Sequence, residues 1–392
     1  MNLGESGSKA PGRRNDIDWL RVLAMLSVFL FHCARFFDYE DWHVKNPELS
    51  FGFSVFVGIL AQWIMPIFFV LSGESTRFAL RFRRANQYVR ERFKRLFIPL
   101  IFGIFVLIPP QVYIERVSHG QFEGSFFRFY PHYFDGFYAF GGNFAWMGLH
   151  LWFLLVLFLF SLLTLPLLLW LWREAQHRVT QRLALFFEKP GTLLFLVLPL
   201  AVMDFSFPPT GLGIRAMGGW SVFVYLVFFL YGYLLASDER FKRVVERQRW
   251  ITFILALITT LIGFFLVRSG YHPSFGSLNY KLISIFRTFN SWVWVFTLLG
   301  WGSKHLTVRN RLLKYAGEAV LPFYILHQSV IVAIGFFIAS WKVDVFVKYL
   351  TISTSSFVSI LLIYELVVRR LGLFRFLFGM KRSLDKASRS RD

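Results

Sequence analysis

Ten stretches of this chain are long and apolar enough to cross a bilayer, and that feature limits what it can fold into more than any other. A spanning helix needs about 20 largely apolar residues. The runs near 18–37, 52–73, 96–115, 149–172, 192–207, 220–236, 250–268, 283–302, 319–340 and 348–368 qualify, with 192–207 and 220–236 the shortest. Hydrocarbon offers no partner to a backbone amide, so each run must satisfy its own backbone, which an α-helix does. The expected fold is all-α, a polytopic membrane protein with about ten transmembrane helices. Composition agrees, since only 17% of the 392 residues are charged and 56% are hydrophobic, against about 25% charged in a soluble domain.

Charge then orients the chain. The formal charge is +20, which in a polar protein would suggest nucleic acid, but an oily composition excludes that reading. The segments 74–95, 173–191, 237–249 and 303–315 carry eight, four, five and four Lys/Arg. With the N-terminus and the stretch from Arg369 onward they hold 32 of the 43 cations. The alternate segments carry only Lys45, Arg116, Arg128, Arg215, Lys281 and Lys342. The positive-inside rule therefore places both termini in the cytoplasm. The expected organisation is a cytoplasmic segment 1–17, a membrane domain 18–368 and a basic, disordered tail 369–392, in a multi-pass protein of the cell (inner) membrane. No small-residue cleavage site follows the first apolar run, so the first helix is expected to be a retained anchor. Partners are the lipid bilayer and, conceivably, further copies of the chain as a homo-oligomer.

Ionisable groups inside spans are costly, so they mark where chemistry lives. Asp18 and Arg21 stand three apart on the first helix and can pair. Arg21 and His32 are eleven apart, about three turns, and so share a face with about 16 Å between their depths. Neutral histidine is the ordinary general base near neutral pH, although a helix histidine also often bonds only its own neighbours. Arg35 follows on the same helix. Cys33, the sole cysteine, points about 100° from His32 and reads as packing; one cysteine excludes a disulfide framework and a cysteine-based metal site. The second apolar run closes on Ser72-Gly73-Glu74, where glycine lets another backbone or a ligand approach. Arg77, Arg81, Arg92 and Arg95 follow in a stretch whose guanidinium forks suit phosphate, with anionic lipid as the plainer partner. His150 and Trp152 open the fourth helix. Tyr324 and His327 stand three apart on the ninth. The external stretch 117–147 holds twelve aromatics, Trp146 among them, and three charges; such a segment folds back along the membrane or caps a cavity. No HExxH, P-loop or GxGxxG motif is present, so metal and nucleotide chemistry are not expected.

Asp18-Trp-Leu-Arg21 followed by ten residues and His32 resembles the first-helix signature of the acyltransferase family 3 membrane proteins. Pro66–Gly73 resembles the family's Phe-Phe-x-x-Ser-Gly segment, and Arg92-Phe-Lys-Arg95-Leu-Phe-Ile-Pro99 its basic approach to the third helix. Gly148-Leu-His150-Leu-Trp152-Phe153-Leu and Tyr324-Ile-Leu-His327 are most similar to the branch that includes the osmoregulated periplasmic glucan succinyltransferases. Glu74 departs from the pattern, which carries an apolar or aromatic residue there. The resemblance implies an O-acyltransferase that moves an acetyl or succinyl group from cytoplasmic acyl-CoA, a co-substrate, to a hydroxyl of an extracytoplasmic carbohydrate, with no metal. It implies His32 as catalytic base, with Asp18 orienting Arg21. Arg21, Ser72, Arg77, Arg81, Arg92 and Arg95 would seat the CoA. His150, Trp152, Trp146, Tyr324, His327 and Arg35 would face the glycan; the sequence does not identify the oxyanion donors, for which Arg35, Tyr324 and His327 are the candidates. A proton-coupled transporter or flippase using the same buried His and Arg is the alternative. It predicts repeated halves with paired broken helices, and no such repeat is visible.

Overall fold

The computed structural model describes residues 14–172, 177–207, 216–270, 273, 274 and 276–380. Residues 1–13 of the expected N-terminal segment and 381–392 of the tail lie outside the described residues. Among those described there is no strand; an isolated bridge joins Phe137 and Phe144. The fold class expected from the apolar runs is therefore correct.

Seven helices among the described residues have the length and apolarity to cross a membrane: Asn15–Ala34, Phe51–Phe82, Ala85–Ser118, Glu239–Arg268, Leu278–His305, Arg311–Ala339 and Val345–Val368. These are the first, second, third, seventh, eighth, ninth and tenth helices. The fourth is a bent pair, Leu149–Leu163 and Leu165–Trp172, at 52°. Its break falls before Pro166, whose ring and missing N–H exclude a continuous helix; there the Thr164 hydroxyl turns back to the Phe160 carbonyl at 2.6 Å. The fifth, Thr192–Ser206, and the sixth, Val222–Leu235, are short.

The basic connection before the fifth helix is more ordered than its charge suggests. Residues 178–187 form a helix at 119° to Thr192–Ser206, with Gly191 at φ +80° in the corner. Thr180, Ala184 and Phe187 are buried, a stripe at helical spacing that lays this segment along the bundle. The third helix carries two π segments, Phe93–Phe97 and Gly103–Leu107; the first directly precedes Pro99, where an α-helical bond to the preceding turn is lost.

Burial sorts the helices by role. The ninth is the most enclosed, with 61% of its apolar window buried, and the seventh the least, with 17%. Ile251, Ile254, Leu261 and Phe265 of the seventh are exposed, as a lipid-facing helix requires. The ninth packs against the first, third and tenth. The second and sixth helices meet where neither has a side chain: a Cβ on Gly73 would lie 1.9 Å from the Phe229 carbonyl, and one on Gly232 1.9 Å from that of Val70. The Ser-Gly element of the second helix thus admits another backbone.

Gly73→Ala and Gly232→Ala should each destabilise the bundle by about 1–3 kcal/mol, as overpacking does. Gly58→Ala, with open space around it, should not. Thermal melting of the purified protein in detergent checks this.

Candidate active site

Three histidines from three helices converge. His32, near the C-terminal end of the first helix, has its ring centroid 4.9 Å from that of His327 on the ninth. His327 in turn lies 5.0 Å from His150 at the start of the fourth. The hydrogen bonds assign their protons. His327 Nδ1 is 2.5 Å from the Tyr324 carbonyl, which only accepts, so this nitrogen carries the proton. His327 Nε2 is then an acceptor, 3.3 Å from His32 Nδ1. His32 Nδ1 also donates to the Val28 carbonyl at 2.9 Å. Both acceptors place the His32 proton on Nδ1 and leave Nε2 as a lone pair. His32 is partly open, whereas His327 is fully buried and His150 nearly so.

His150 is set by a strained turn. Gly148 and Leu149 both have positive φ, +80° and +45°, and for leucine that region is unfavourable by order 1–3 kcal/mol. The turn lets His150 Nε2 donate to the Ile325 carbonyl at 3.2 Å, while the Tyr324 hydroxyl donates to the His150 carbonyl. His150 Nδ1 has no hydrogen-bond partner among the described residues.

Near the N-terminal end of the first helix, Arg21 pairs with Asp18 at 2.9 Å, as the i, i+3 spacing predicts. It also donates to the Ser75 hydroxyl and, at 3.4 Å, to the Leu71 carbonyl on the second helix. Arg92 donates to Thr76 at 3.1 Å and lies 4.8 Å over the Tyr88 ring. Arg95 is exposed and 3.6 Å from Glu91. Arg81 is exposed and Ser72 half-buried. Arg77 turns inward: its guanidinium stacks 3.8 Å over Trp172, with Nε and one terminal nitrogen unbonded among the described residues. Glu74, the departure from the family pattern, is also buried, beside a cavity lined in part by Arg14, Asp16 and Lys242.

The structure scatters the group expected to face the glycan. Tyr324, His327 and His150 meet at the site. Trp152 instead packs inward, 5.4 Å from Tyr225 and 6.2 Å from Phe69. Trp146 is exposed on the aromatic stretch. Arg35 is committed elsewhere: it bonds Asp38, bonds Glu40 at 2.8 Å and donates to the Asp41 carbonyl at 2.9 Å. Lys45 reaches the same Asp38 carboxylate at 2.7 Å. Burial pushes the Asp38 carboxyl above its usual range, against the pull of Arg35 and Lys45. Burial likewise lowers Lys45. Arg35 thus clamps the connection after the first helix. Tyr324, expected as an oxyanion donor, has its hydroxyl hydrogen bonded to the His150 backbone carbonyl. His43, Glu115, Tyr138 and Gln328 beside the histidines were not visible in the sequence pattern, although Glu115 is an acid at the end of an otherwise uncharged span.

The family profile described as "Acyltransferase domain" (acyltransferase 3) matches residues 14–365. The chain belongs to the acyltransferase 3 family. The chain is also similar to proteins named glucans biosynthesis protein C. In Salmonella paratyphi B (strain ATCC BAA-1250 / SPB7) the relative is 22% identical over 391 residues, covering 95% of this chain and 96% of its own. Those of Salmonella schwarzengrund (strain CVM19633) and Salmonella agona (strain SL483) show the same identity and coverage. No solved structure matches. The family membership makes this multi-pass membrane protein an acyltransferase, and the signature residues Asp18, Arg21 and His32 are those at the two ends of the first helix.

Arg35→Gln should lower the melting temperature, because it removes a partner from a carboxylate only 1% exposed; breaking a buried pair costs about 3–5 kcal/mol. Arg35→Gln with Asp38→Asn should recover part of the loss. An oxyanion role would instead reduce turnover at unchanged stability.

Proposed function

We propose that this protein moves an acyl group, acetyl or succinyl, from cytoplasmic acyl-CoA to a hydroxyl of an extracytoplasmic glucan, in the bacterial inner membrane with both termini in the cytoplasm. The observation that carries the reading is the state of His32. The ring is partly open, its Nδ1–H is held by Val28 and His327, which leaves Nε2 as the basic nitrogen, and the same helix carries Arg21 near its other end. The relatives' printed name supports a glucan acceptor, and the basic second connection with Arg21 supports a polyanionic donor.

In this mechanism the acceptor oxygen attacks the thioester carbonyl while His32 Nε2 takes its proton. The Val28 carbonyl and His327 Nε2 stabilise the imidazolium through Nδ1–H, as the orienting member of a catalytic triad does. The C–S bond breaks, and the thiolate recovers the proton from His32 as free CoA. His150 holds the start of the fourth helix to the ninth beside the base, through the Ile325 carbonyl. Arg21, Ser72, Arg81, Arg92 and Arg95 line the donor's approach, and Trp146 offers a sugar-stacking face outside.

The test is transfer of label from acetyl-CoA or succinyl-CoA to a glucan oligosaccharide by the protein in liposomes, with CoA release measured in parallel. His32→Ala should lower transfer by about 10²–10⁴-fold, the usual weight of a general base; wild-type turnover removes His32 from the chemistry. Arg92→Ala with Arg95→Ala should weaken acyl-CoA binding at fixed salt, and unchanged affinity counts against a phosphate role. A proton-coupled transporter would move substrate without forming any ester on the glucan.

A further inference from the structure

His43 is a buried imidazole, 7% exposed, that the proposed proton transfer does not use. It comes from the connection after the first helix. Its Nε2 lies 2.9 Å from Gln328 Nε2, and an amide N–H only donates, so this ring nitrogen accepts. The proton is then on Nδ1, which donates to Glu115 Oε2. The same carboxylate oxygen accepts from the Tyr138 hydroxyl at 2.7 Å, and Oε1 lies 3.2 Å from Arg116. Arg116 also holds Asn143 Oδ1 at 2.7 Å and the Gly142 carbonyl at 2.8 Å. Ser118 donates to the His43 carbonyl at 2.8 Å.

One carboxylate–imidazole pair therefore ties together four parts of the outer half: the 35–50 connection, the end of the third helix, the aromatic stretch 117–147 and the ninth helix beside His327. Buried ion pairs seldom add stability over apolar packing. A carboxylate that fixes an imidazole, which fixes an amide, instead transmits orientation.

We propose that Glu115 and His43 are positioning residues for the acceptor side. Through His43 they seat the 35–50 connection, whose Trp42 ring lies 6.2 Å from that of His32; through Tyr138 they fasten the aromatic stretch to it, and through Gln328 they hold the ninth helix in register with it. Trp42, so held, covers His32, admits the polyhydroxyl acceptor and keeps water from the acyl donor. This rests on the proposed function.

The experiment compares wild type with Glu115→Gln, His43→Gln and Tyr138→Phe, and with Tyr130→Phe, whose hydroxyl bonds only the Phe105 carbonyl, as the control from the same stretch. In the transfer assay, Glu115→Gln and Tyr138→Phe should raise the KM for the glucan oligosaccharide about tenfold, the size of one hydrogen bond to a charged group. They should leave the KM for acyl-CoA unchanged and increase CoA release when no glucan is present; Glu115→Asp should restore part of the loss. A second readout needs no turnover: modification of His32 by diethyl pyrocarbonate, followed by mass spectrometry, should be several-fold faster in Glu115→Gln and Tyr138→Phe and unchanged in Tyr130→Phe. Unchanged modification of His32 overturns the inference. So does an unchanged glucan KM in an active enzyme. If wild type transfers no acyl group, the proposed function fails while the modification rates still decide this one. Should Glu115→Gln not fold, Tyr138→Phe carries the comparison.

Discussion

A polar group in hydrocarbon has to be met from within the protein, and the ninth helix is where this chain meets most of that demand. Tyr324, His327, Gln328 and Ser329 follow one another along it, and each finds a partner on a different element. Tyr324 bonds the start of the fourth helix, His327 the first, Gln328 the connection after the first and Ser329 the third through Gln111 at 2.7 Å. Four bonds of this kind fix the register of several otherwise greasy helices. Apolar packing alone tolerates sliding and repacking; a buried donor that loses its acceptor does not. The polar edge of one enclosed helix therefore sets where the imidazoles stand.

The rest of the bundle supplies spacing. Gly73 and Gly232 bring the second and sixth helices into backbone contact, as small residues do where no hydrophobic force separates lipid from helix. That contact lies within a few residues of Leu71 and Ser75, which hold Arg21. The N-terminal half of the first helix is thereby fastened, through Arg21, to a helix whose own position is sterically fixed, while its C-terminal end is fastened by the Arg35–Asp38–Lys45 clamp. The helix that carries Arg21 and His32 is thus held at both ends.

The membrane helices were legible because hydrocarbon imposes length and apolarity on each one separately, so every run such as 283–302 announces itself. Asp18 with Arg21, and Arg21 with His32, were legible for a related reason: helical periodicity relates residues on one element. What was hidden depends on partners from elsewhere. Residues 178–187 read as a charged connection because the stripe of Thr180, Ala184 and Phe187 is brief and needs the bundle to bury it. Arg35 looked available until Asp38 and Glu40, a few residues on, folded back onto it. Trp152 sits where an interfacial aromatic would, and only the positions of Phe69 and Tyr225 show that it turns inward. His43 and Glu115 are 72 residues apart, and no periodicity links a short external connection to the end of a different helix.

The same distinction bears on how a base works at this depth. An isolated imidazole surrounded by hydrocarbon would be a poor proton acceptor, since burial disfavours the charged form. His32 is not isolated: the Val28 carbonyl and His327 Nε2 are both placed to accept from Nδ1, so that the ring made positive at Nε2 keeps its Nδ1 proton bonded. His327 is held in turn by the carbonyl one turn back on its own helix, so the arrangement needs no charged partner that would itself have to be desolvated. A carboxylate in the place of His327 would stabilise the imidazolium more strongly but would carry an uncompensated charge whenever His32 is neutral. A neutral imidazole is the weaker and safer orienting group, and the full burial of His327 is compatible with it for that reason.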